Sequence, residues 1–339
     1  MMTKRSDSDN NILLKVTDLK TYFFTDEGVG RAVDGVSFAV PKGKTLALVG
    51  ESGCGKSVTS LSILQLVPEP TGKIVSGSIR FDGTNLLELH ESQMRKIRGN
   101  RISMIFQEPM TALNPVFTIG NQIDETIKLH QKLSRPDRRQ LAIALLKKVG
   151  IPEPQARLET YPHHLSGGMR QRIMIAMALA SNPDMLIADE PTTALDVTIQ
   201  AQILALLNDL QTQSGMSILL ITHDLGVVAQ TAHEVAVMYA GKIVEYADVR
   251  TLFAHPLHPY TQGLFQAIPR LGVTKNRTRL TTIPGQVSSP TNFPSGCRFH
   301  PRCPSCKNDP KCINEQPPLV DYGQGHRAAC WHIDPTPGR

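Results

Sequence analysis

The octapeptide Gly50-Glu51-Ser52-Gly53-Cys54-Gly55-Lys56-Ser57 constrains this chain more than any other stretch. It fits the pattern G-x-x-x-x-G-K-[ST], in which backbone N–H groups and a helix N-terminus surround an anion. A short apolar run, residues 45–49, precedes it, and residues 58–66 follow with helical spacing. Because strand, glycine loop and helix form the context that confirms this pattern, we predict a nucleotide site. Lys56 would reach the β- and γ-phosphates, and Ser57 would hold Mg²⁺.

The alternation of apolar patterns predicts an α/β fold. Residues 11–40 have the spacing of antiparallel strands, with a turn at Asp26-Glu27-Gly28. Later apolar runs that are typical of buried strands occupy residues 102–106, 184–189 and 217–222. Helical spacing dominates between them. We therefore expect a phosphate-loop ATPase core with an antiparallel β subdomain and a helical subdomain at about 91–180.

The composition changes past about residue 256. Thirteen of the 24 prolines lie in the last 89 residues, and five of the six cysteines fall between Cys297 and Cys330. Helical and strand periodicity is weak there. We therefore predict a nucleotide-binding domain over residues 11–255, followed by a Cys/Pro-rich C-terminal extension over 256–339 that lies outside the core sheet.

Charge and hydropathy exclude some classes. The net charge of +6, from 36 basic and 30 acidic residues, favours a polyanionic partner only weakly. No apolar run approaches the roughly 18 residues that a membrane-spanning helix needs. The first ten residues are polar and lack the apolar core of a signal peptide. These features predict a soluble or peripheral cytosolic protein.

Two acidic residues, Asp189 and Glu190, end one of the apolar runs. A phosphate loop needs a second acidic site to complete Mg²⁺ coordination and to activate water. We predict that Asp189 acts through Mg²⁺-bound water and that Glu190 polarises the attacking water. A helix cap or a surface pair is the alternative interpretation.

Further motifs resemble those of ATP-binding cassette (ABC) proteins. Residues 165–172, Leu-Ser-Gly-Gly-Met-Arg-Gln-Arg, resemble the signature motif and stand before the acidic pair. Gln107 resembles the Q-loop glutamine, which senses Mg²⁺ and contacts a transmembrane partner. Ala194-Leu195-Asp196 resembles the D-loop, and His223 resembles the switch histidine. With the phosphate loop and the acidic pair, six motifs follow the family's order.

The resemblance covers about residues 11–255 and implies a set of site residues. Glu190, His223 and Gln107 would be catalytic, and Ser57 and Gln107 would bind Mg²⁺. Phe23 matches the position that stacks on adenine, with Tyr22 as the alternative because a one-residue shift reverses the strand face. The nucleotide-binding set would comprise Phe23, Gly50, Glu51, Ser52, Gly53, Cys54, Gly55, Lys56, Ser57, Asp189, Ser166, Gly167 and Gly168.

The signature motif also implies a partner. Ser166 and the glycines after it would place free N–H groups at a helix N-terminus, which is a second anion site. In the family that site binds a nucleotide held by a facing subunit. Since this chain supplies one cassette, the resemblance implies a dimer with a separate ATPase subunit.

Longer stretches resemble the ATP-binding subunits of dipeptide and oligopeptide importers, namely residues 104–115, 187–198, 258–261, 299–304, 317–319 and 327–330. This implies peptide import at the cytoplasmic face of the bacterial inner membrane. Two transmembrane permease subunits would be partners, and an extracytoplasmic peptide-binding protein would act through them. Nickel importers share parts of the pattern, so nickel or another solute is an alternative cargo.

The alternative from another functional class is a non-transport ATPase acting on nucleic acid or ribosomes. Such proteins carry two cassettes or long coiled-coil inserts, so we expect no nucleic acid partner.

The tail cysteines predict a metal site. Thiolate clusters select zinc or an iron–sulfur cluster, and spacing alone does not separate the two. Free cysteines or a disulfide are further alternatives. A comparable tail in related importer subunits holds a four-iron–four-sulfur (4Fe–4S) cluster, so the resemblance implies one here with a structural role. Cys297, Cys303, Cys312 and Cys330 match the family pattern best, which leaves Cys306 as a surplus thiol.

The remaining cysteine and histidines suggest little chemistry. Cys54 reads as a small residue tolerated in the phosphate loop, and we hypothesise that it makes the ATPase sensitive to thiol reagents. His163, His164, His255 and His258 lack a carboxylate or cysteine at ligand spacing, so we interpret them as structural.

Overall fold

The computed structural model describes residues 11–107, 112–193, 195–267 and 282–333. They form two compact units. One unit, here called the helical unit, contains residues 85–221 together with the described residues up to 13 and residues 40–45. The other, here called the loop unit, contains residues 14–39, residues 46–84 and the described residues from 222 onward. The phosphate loop lies in the loop unit.

The elements follow in chain order. The strands are β1 (Ile12–Thr25), β2 (Gly28–Pro41), β3 (Thr45–Val49), β4 (Gly72–Phe81), β5 (Thr84–Asn85), β6 (Ile102–Ile105), β7 (Met185–Asp189), β8 (Ser217–Thr222), β9 (Glu234–Tyr239), β10 (Lys242–Asp248), β11 (Val320–Asp321) and β12 (Arg327–Ala328). The α-helices are α1 (Lys56–Ile63), α2 (Glu91–Met94), α3 (Ile119–His130), α4 (Arg135–Lys148), α5 (Pro154–Arg157), α6 (Gly167–Ala178), α7 (Val197–Ser214), α8 (Leu225–Thr231), α9 (Val249–Ala254), α10 (Pro259–Gln266) and α11 (Pro310–Asn314).

The expected antiparallel sheet forms in the order β2-β1-β4-β5. Strands β1 and β4 pair antiparallel, with Leu14 opposite Phe81 and Val16 opposite Ile79. These four side chains are buried, because alternate residues of a strand face the same side of the sheet. The predicted turn lies between Thr25 and Gly28. A bulge between Thr17 and Thr21 changes the register along β1.

The loop unit also carries the strand order β11-β12-β10-β9-β3. Strand β3 runs parallel to β9, and β9 and β10 form an antiparallel hairpin. All five residues of β3 are buried, which explains the continuous apolar run that its sequence shows. This strand ends at the phosphate loop and therefore fixes where the loop begins.

The helical unit combines parallel strands with a helical insert. Strand β7 pairs with β6 on one side and β8 on the other, and all five of its residues are buried. The described helices between residues 91 and 178 lie within the range of about 91–180 that we expected for the helical subdomain. Among the described residues, no helix combines the length and the apolar character that crossing a bilayer requires.

The tail differs from the expectation that it lies outside the core sheet. Strand β12 pairs antiparallel with β10, placing Ala328 opposite Glu245 and Arg327 opposite Tyr246. Strand β11 in turn pairs with β12. The prediction was wrong for residues 320–321 and 327–328, because a two-residue strand is too short to show alternation in sequence. These four residues extend a sheet of the loop unit.

Candidate nucleotide site and cysteine cluster

The phosphate loop connects β3 to α1 through two glycines that no other residue could replace without displacing the backbone. Gly55 is the N-cap of α1 with a φ of 105°, a conformation that favours glycine. A Cβ at Gly55 would lie 2.2 Å from the carbonyl oxygen of Ala32, and one at Gly50 would lie 2.1 Å from that of Met238. The loop therefore approaches its neighbours closely, and the N-terminus of α1 directs its N–H groups toward an anion.

Lys56 places a cation on this loop. It is only 5% exposed. Its Nζ donates to the carbonyl oxygens of Gly50 at 2.8 Å and of Glu51 at 2.9 Å. A buried ammonium beside a helix N-terminus is an electropositive pocket, which suits a polyphosphate.

Cys54 is enclosed by the same loop. The side chain is 1% exposed, and burial raises the pKa of its thiol even though Lys56 lies nearby and opposes the shift. Since the thiolate is the reactive form, this thiol should react slowly. The structure favours the small tolerated residue over the thiol-sensitive ATPase that we hypothesised.

The two candidate aromatics on β1 differ in their contacts. The hydroxyl of Tyr22 donates to Oδ1 of Asp34 at 2.7 Å. Burial and this bond raise the pKa of Tyr22 to about 12. Phe23 is half-buried in register with Gly72, and Phe24 is 45% exposed. Because Tyr22 is held by Asp34, Phe23 stays the better prediction for an adenine contact.

In the helical unit, the predicted acidic pair ends β7. Asp189 is buried, whereas Glu190 has a φ of 46° and donates its N–H to the carbonyl of Ile221 at 2.8 Å. Oε2 of Glu190 accepts from Nε2 of Gln107 at 3.1 Å and from Oγ1 of Thr193 at 2.9 Å. A left-handed backbone is strained for a non-glycine residue, and such residues concentrate at functional sites. The fold thus brings together Gln107 and Glu190 and orients the carboxylate.

The signature residues lie at the start of α6, as predicted. Ser166 is its N-cap, and its Oγ accepts from the N–H of Met169 at 3.3 Å. Gly167 and Gly168 are the first helical residues, and a Cβ at Gly168 would lie 2.8 Å from Cγ2 of Ile199. The close approach of α7 therefore requires a small residue there.

Part of the predicted D-loop is positioned by a helix cap. Oδ1 of Asp196 accepts from the N–H of Ile199 at 2.9 Å and so begins α7. Ala194 lies outside the described residues.

The histidines are placed at element ends. His223 follows β8 and is exposed, next to Asp224, which caps α8. Its catalytic role stays a prediction. His258 is buried, and its Nδ1 accepts from the N–H of Tyr260 at 3.0 Å to begin α10. This hydrogen bond begins a helix, which is a structural role such as we predicted for His258.

The tail brings five thiols into one neighbourhood, here called the cysteine cluster, comprising Cys297, Cys303, Cys306, Cys312 and Cys330. None forms a disulfide. Cys312 is close enough to Cys306 to interact electrostatically, and Cys330 is likewise close to Cys297 and Cys303. Burial, with the neighbouring thiols, raises the pKa of Cys297 to about 11 and of Cys312 to about 12. Crowded buried thiols of this kind suit soft metal ions, which deprotonate them on binding.

Sequence reasoning missed two further donors beside this cluster. Ligand atoms of Asp309, Cys312 and His332 all lie within 4.8 Å of one another. Nε2 of His332 is 3.1 Å from Oδ2 of Asp309. Carboxylate, thiolate and imidazole are zinc ligands, so this trio keeps the zinc alternative open. No spacing rule joins these residues, since His332 is 23 positions from Asp309.

Comparison with known proteins identifies the family. The ABC transporter model matches residues 33–193, and the model of the oligopeptide/dipeptide transporter C-terminal region matches residues 244–312. A probable peptide ABC transporter ATP-binding protein of Sinorhizobium fredii, y4tR, is 53% identical over 97% of this chain and 98% of its own length. The oligopeptide transport ATP-binding protein AppD of Bacillus subtilis is 53% identical, over 94% and 96% of the two chains. The dipeptide transport ATP-binding protein DppD of Escherichia coli is 47% identical, over 96% and 98%. The chain belongs to the ATP-binding subunits of peptide ABC transporters.

Solved structures confirm the cassette fold of this subunit. A dimeric post-hydrolysis state of the ATP-binding cassette MJ0796, bound to ADP and Pi, matches with a TM-score of 0.63 and 27% identity, over 70% of this chain and 99% of that one. The protein cbiO1 of Clostridium perfringens, part of the ABC transporter complex cbiONQ, matches with a TM-score of 0.62 and 27% identity, over 72% of this chain and 92% of that one. The expected ABC ATPase core is therefore confirmed, and with it the ATPase class.

Two other features of the cassette were not predicted from sequence. Tyr260 and Arg302, both after residue 256, contact Glu51 of the phosphate loop. In the helical unit, a cavity of about 200 Å³ is lined in part by Met104, Phe106 and Met174. Apart from Met174, these residues lie in stretches that carried the family resemblance, but nothing in their spacing indicated which side chains they contact.

Proposed function

We propose that this cassette subunit hydrolyses ATP to energise the import of dipeptides or oligopeptides through a membrane permease. The observation that carries the proposal is the match to relatives named as peptide or dipeptide transport proteins along nearly the whole chain. The match includes the family's C-terminal region at residues 244–312, which lies beyond the part common to ABC cassettes.

ATP is the substrate, and the loop unit would bind its base and phosphates. Phe23 would stack on adenine, and Lys56 with the loop N–H groups would bind the β- and γ-phosphates. The hydroxyl of Ser57 and the amide oxygen of Gln107 would hold Mg²⁺, since hard oxygen ligands suit this ion. Mg²⁺ supplies charge neutralisation on the phosphates when bound.

Hydrolysis would depend on positioning and charge. The Glu190 carboxylate, oriented by Gln107 and Thr193, would accept a proton from the attacking water. Asp189 would act on the Mg²⁺-bound water. Lys56 and His223 would stabilise the charge that develops on the γ-phosphate.

The complete nucleotide site would need a second ATPase subunit. Ser166, Gly167 and Gly168 at the N-terminus of α6 would bind the nucleotide of the facing subunit, and its signature motif would serve this chain in return. The similar cassette MJ0796 is described as dimeric, which supports this arrangement. The partner would be a different chain, giving a heterodimer.

A permease would dock beside the Q-loop. The cavity in the helical unit is lined in part by Met104, Met174 and Met177, and flexible methionine side chains adapt to an inserted segment. Nearby in sequence, Phe106, Val116 and Phe117 are 44%, 70% and 50% exposed. Exposed apolar side chains that are grouped in this way mark interaction surfaces. Two permease subunits would place the cassette at the cytoplasmic face of the bacterial inner membrane, with an extracytoplasmic peptide-binding protein acting through them.

The C-terminal extension would hold a 4Fe–4S cluster on Cys297, Cys303, Cys312 and Cys330. Their thiols are buried at Cys312 and half-buried at the other three positions, lie close to one another and are free of disulfides, which fits this group. It would supply a cross-link that stabilises the tail when bound. Cys306 interacts electrostatically with Cys312 and would support the ligands.

Co-purification tests the transport proposal. The tagged chain, extracted with its membrane in mild detergent, should retain two transmembrane proteins and a second cassette subunit, and a peptide should stimulate its ATPase activity with the binding protein present. Stimulation by nickel in place of peptides would reassign the cargo. Stimulation by DNA or ribosomes, with no membrane protein retained, would overturn the importer proposal.

Elemental analysis tests the cluster. Anaerobically purified protein should contain iron and acid-labile sulfide. Zinc without sulfide would instead favour a site built on Asp309, Cys312 and His332.

A further inference from the structure

Glu51, the second residue of the phosphate loop, is held by the tail. Its N–H donates to the hydroxyl oxygen of Tyr260 at 2.8 Å. Its carboxylate accepts from both terminal nitrogens of Arg302, at 2.6 and 3.0 Å. Its carbonyl oxygen accepts from Nζ of Lys56. Every polar group of this residue therefore has a partner, and two of those partners lie more than 200 positions away.

The side chain of Arg302 is also held by contacts other than the one to Glu51. Its Nε donates to the carbonyl of Pro284 at 2.9 Å, and its Nη1 lies 3.4 Å from the hydroxyl of Tyr239. Its side chain is only 6% exposed, whereas that of Glu51 is 29% exposed. Parallel two-point contact with a carboxylate is the strongest ion-pair geometry, and burial of the guanidinium limits screening by salt.

Packing connects this contact to the cysteine cluster. Tyr239, Tyr260 and Phe299 have ring centroids 4.7 to 5.4 Å apart. Cys297 and Cys303 pack against the apolar cluster that contains these rings. Arg302 directly precedes Cys303. The segment that carries the thiols is thus the segment that contacts the phosphate loop.

We infer that Tyr260 and Arg302 are positioning residues for ATP binding. Arg302 neutralises a carboxylate within a loop that must accept a polyanion, and Tyr260 fixes the loop's backbone at Glu51. An unpaired carboxylate at this position would repel the phosphates and release one side of the loop. The inference rests on the proposed ATPase function but concerns residues outside the reacting groups.

Binding of the non-hydrolysable analogue AMP-PNP with Mg²⁺, measured by calorimetry on the full chain, tests the inference. Arg302→Met should weaken binding on the order of tenfold, or ~1.4 kcal/mol. The double variant Glu51→Gln/Arg302→Met should recover most of that loss, because the uncompensated charge is gone. Steady-state turnover should change through KM, with kcat within about twofold of wild type.

Equal weakening in Arg302→Met and the double variant would overturn the inference, as would unchanged binding in Arg302→Met. Should Arg302→Met fail to fold, Arg302→Lys decides: it keeps the charge but loses the two-point contact, so its Kd should rise measurably, by less than tenfold. An unchanged Kd there contradicts the inference. Arg139→Met is the matched control, because Arg139 forms an exposed pair with Glu159 in the helical unit and should leave binding unchanged. Wild-type protein that binds no nucleotide would refute the proposed function itself.

Discussion

Nε2 of Gln107 donates to Oε2 of Glu190 at 3.1 Å, across 83 positions of the sequence. Gln107 follows β6 and Glu190 follows β7, two neighbouring parallel strands in which Ile105 is opposite Ala188. Since parallel strands end at the same edge of a sheet, side chains just beyond them meet there. The contact orients a carboxylate that the sequence predicted to be catalytic without showing which side chain would contact it.

Replacing Glu190 with Gln should remove turnover and preserve nucleotide binding. The amide keeps the shape of the side chain but cannot accept a proton from water, so kcat should fall by about 10²- to 10⁴-fold. Phosphate release and AMP-PNP calorimetry measure the two effects. A comparable loss of affinity would contradict a role confined to the chemical step. Glu159→Gln, at an exposed position of the same unit, is the control.

The pair between Arg298 and Asp34 should be important for stability. Arg298 donates to Oδ2 of Asp34, and the hydroxyl of Tyr22 donates to Oδ1 of the same carboxylate. The side chains of Arg298 and Asp34 are 8% and 13% exposed. Arg298→Met would leave a buried carboxylate without its cation, so the free energy of unfolding should fall by about 3–5 kcal/mol. Urea denaturation measures it.

The double variant Asp34→Asn/Arg298→Met separates charge from packing. It should recover part of the loss, because no uncompensated charge remains. Equal destabilisation of the single and double variants would mean that the packing of Arg298 on Phe293, 4.1 Å from its ring centroid, accounts for the effect.

Local patterns were sufficient for much of the site. The phosphate loop, its strand and its helix are contiguous, so one stretch of sequence contains the whole signal. The same holds for Ser166 at the start of α6, because an N-cap contacts residues only three positions away. The helical spacing in the sequence did not show where α7 begins. It begins at Val197, because Asp196 is its N-cap.

Long-range contacts could not be predicted in this way. Arg302 and Glu51 are separated by 251 positions, and neither carries a spacing signal that names the other. The β12–β10 pairing rests on two residues, too few to alternate. The contribution of Asp309 and His332 beside Cys312 was also not predicted, since spacing gives the number of thiols but not their neighbours. In each case the partner is selected by the assembled fold.

His258 should make stability depend on pH between about 4 and 6.5. Burial lowers the pKa of His258 to about 4, although Glu245 nearby favours the charged form. The other titratable group in contact with that carboxylate is His326, whose Nε2 is 2.7 Å from its Oε1. The unfolded chain takes up the His258 proton near pH 6.5, whereas the folded protein resists it until about pH 4. The contribution of neutral His258 to the free energy of unfolding is therefore complete above pH 6.5, and it is lost as the pH falls from 6.5 to about 4.

Urea denaturation from pH 7 to pH 4 measures the His258 effect. The free energy of unfolding should decrease on acidification by up to ~1.4 kcal/mol per pH unit more in wild type than in His258→Asn. Asparagine keeps an acceptor for the N–H of Tyr260 without a titrating group. Parallel pH profiles in the two proteins would rule out His258 as the source.

Serine substitutions should sort the five thiols into ligands and a bystander. Cys303→Ser should lose most of the iron and acid-labile sulfide, because a cluster needs each of its thiolates. Cys306→Ser should keep wild-type contents, since Cys306 is buried beside Cys312 but is not among the four proposed ligands. Both variants are purified without oxygen and analysed for iron, sulfide and zinc.

The two serine variants are matched in chemistry, so their difference reports coordination alone. Equal loss of iron would make Cys306 a ligand and would contradict the proposed set. If wild type holds zinc instead, Asp309→Asn and His332→Gln should each lower the zinc content, because their ligand atoms lie within 4.8 Å of Cys312. Zinc that survives both substitutions would place the ion among the thiols, where softer ligands compete better for it.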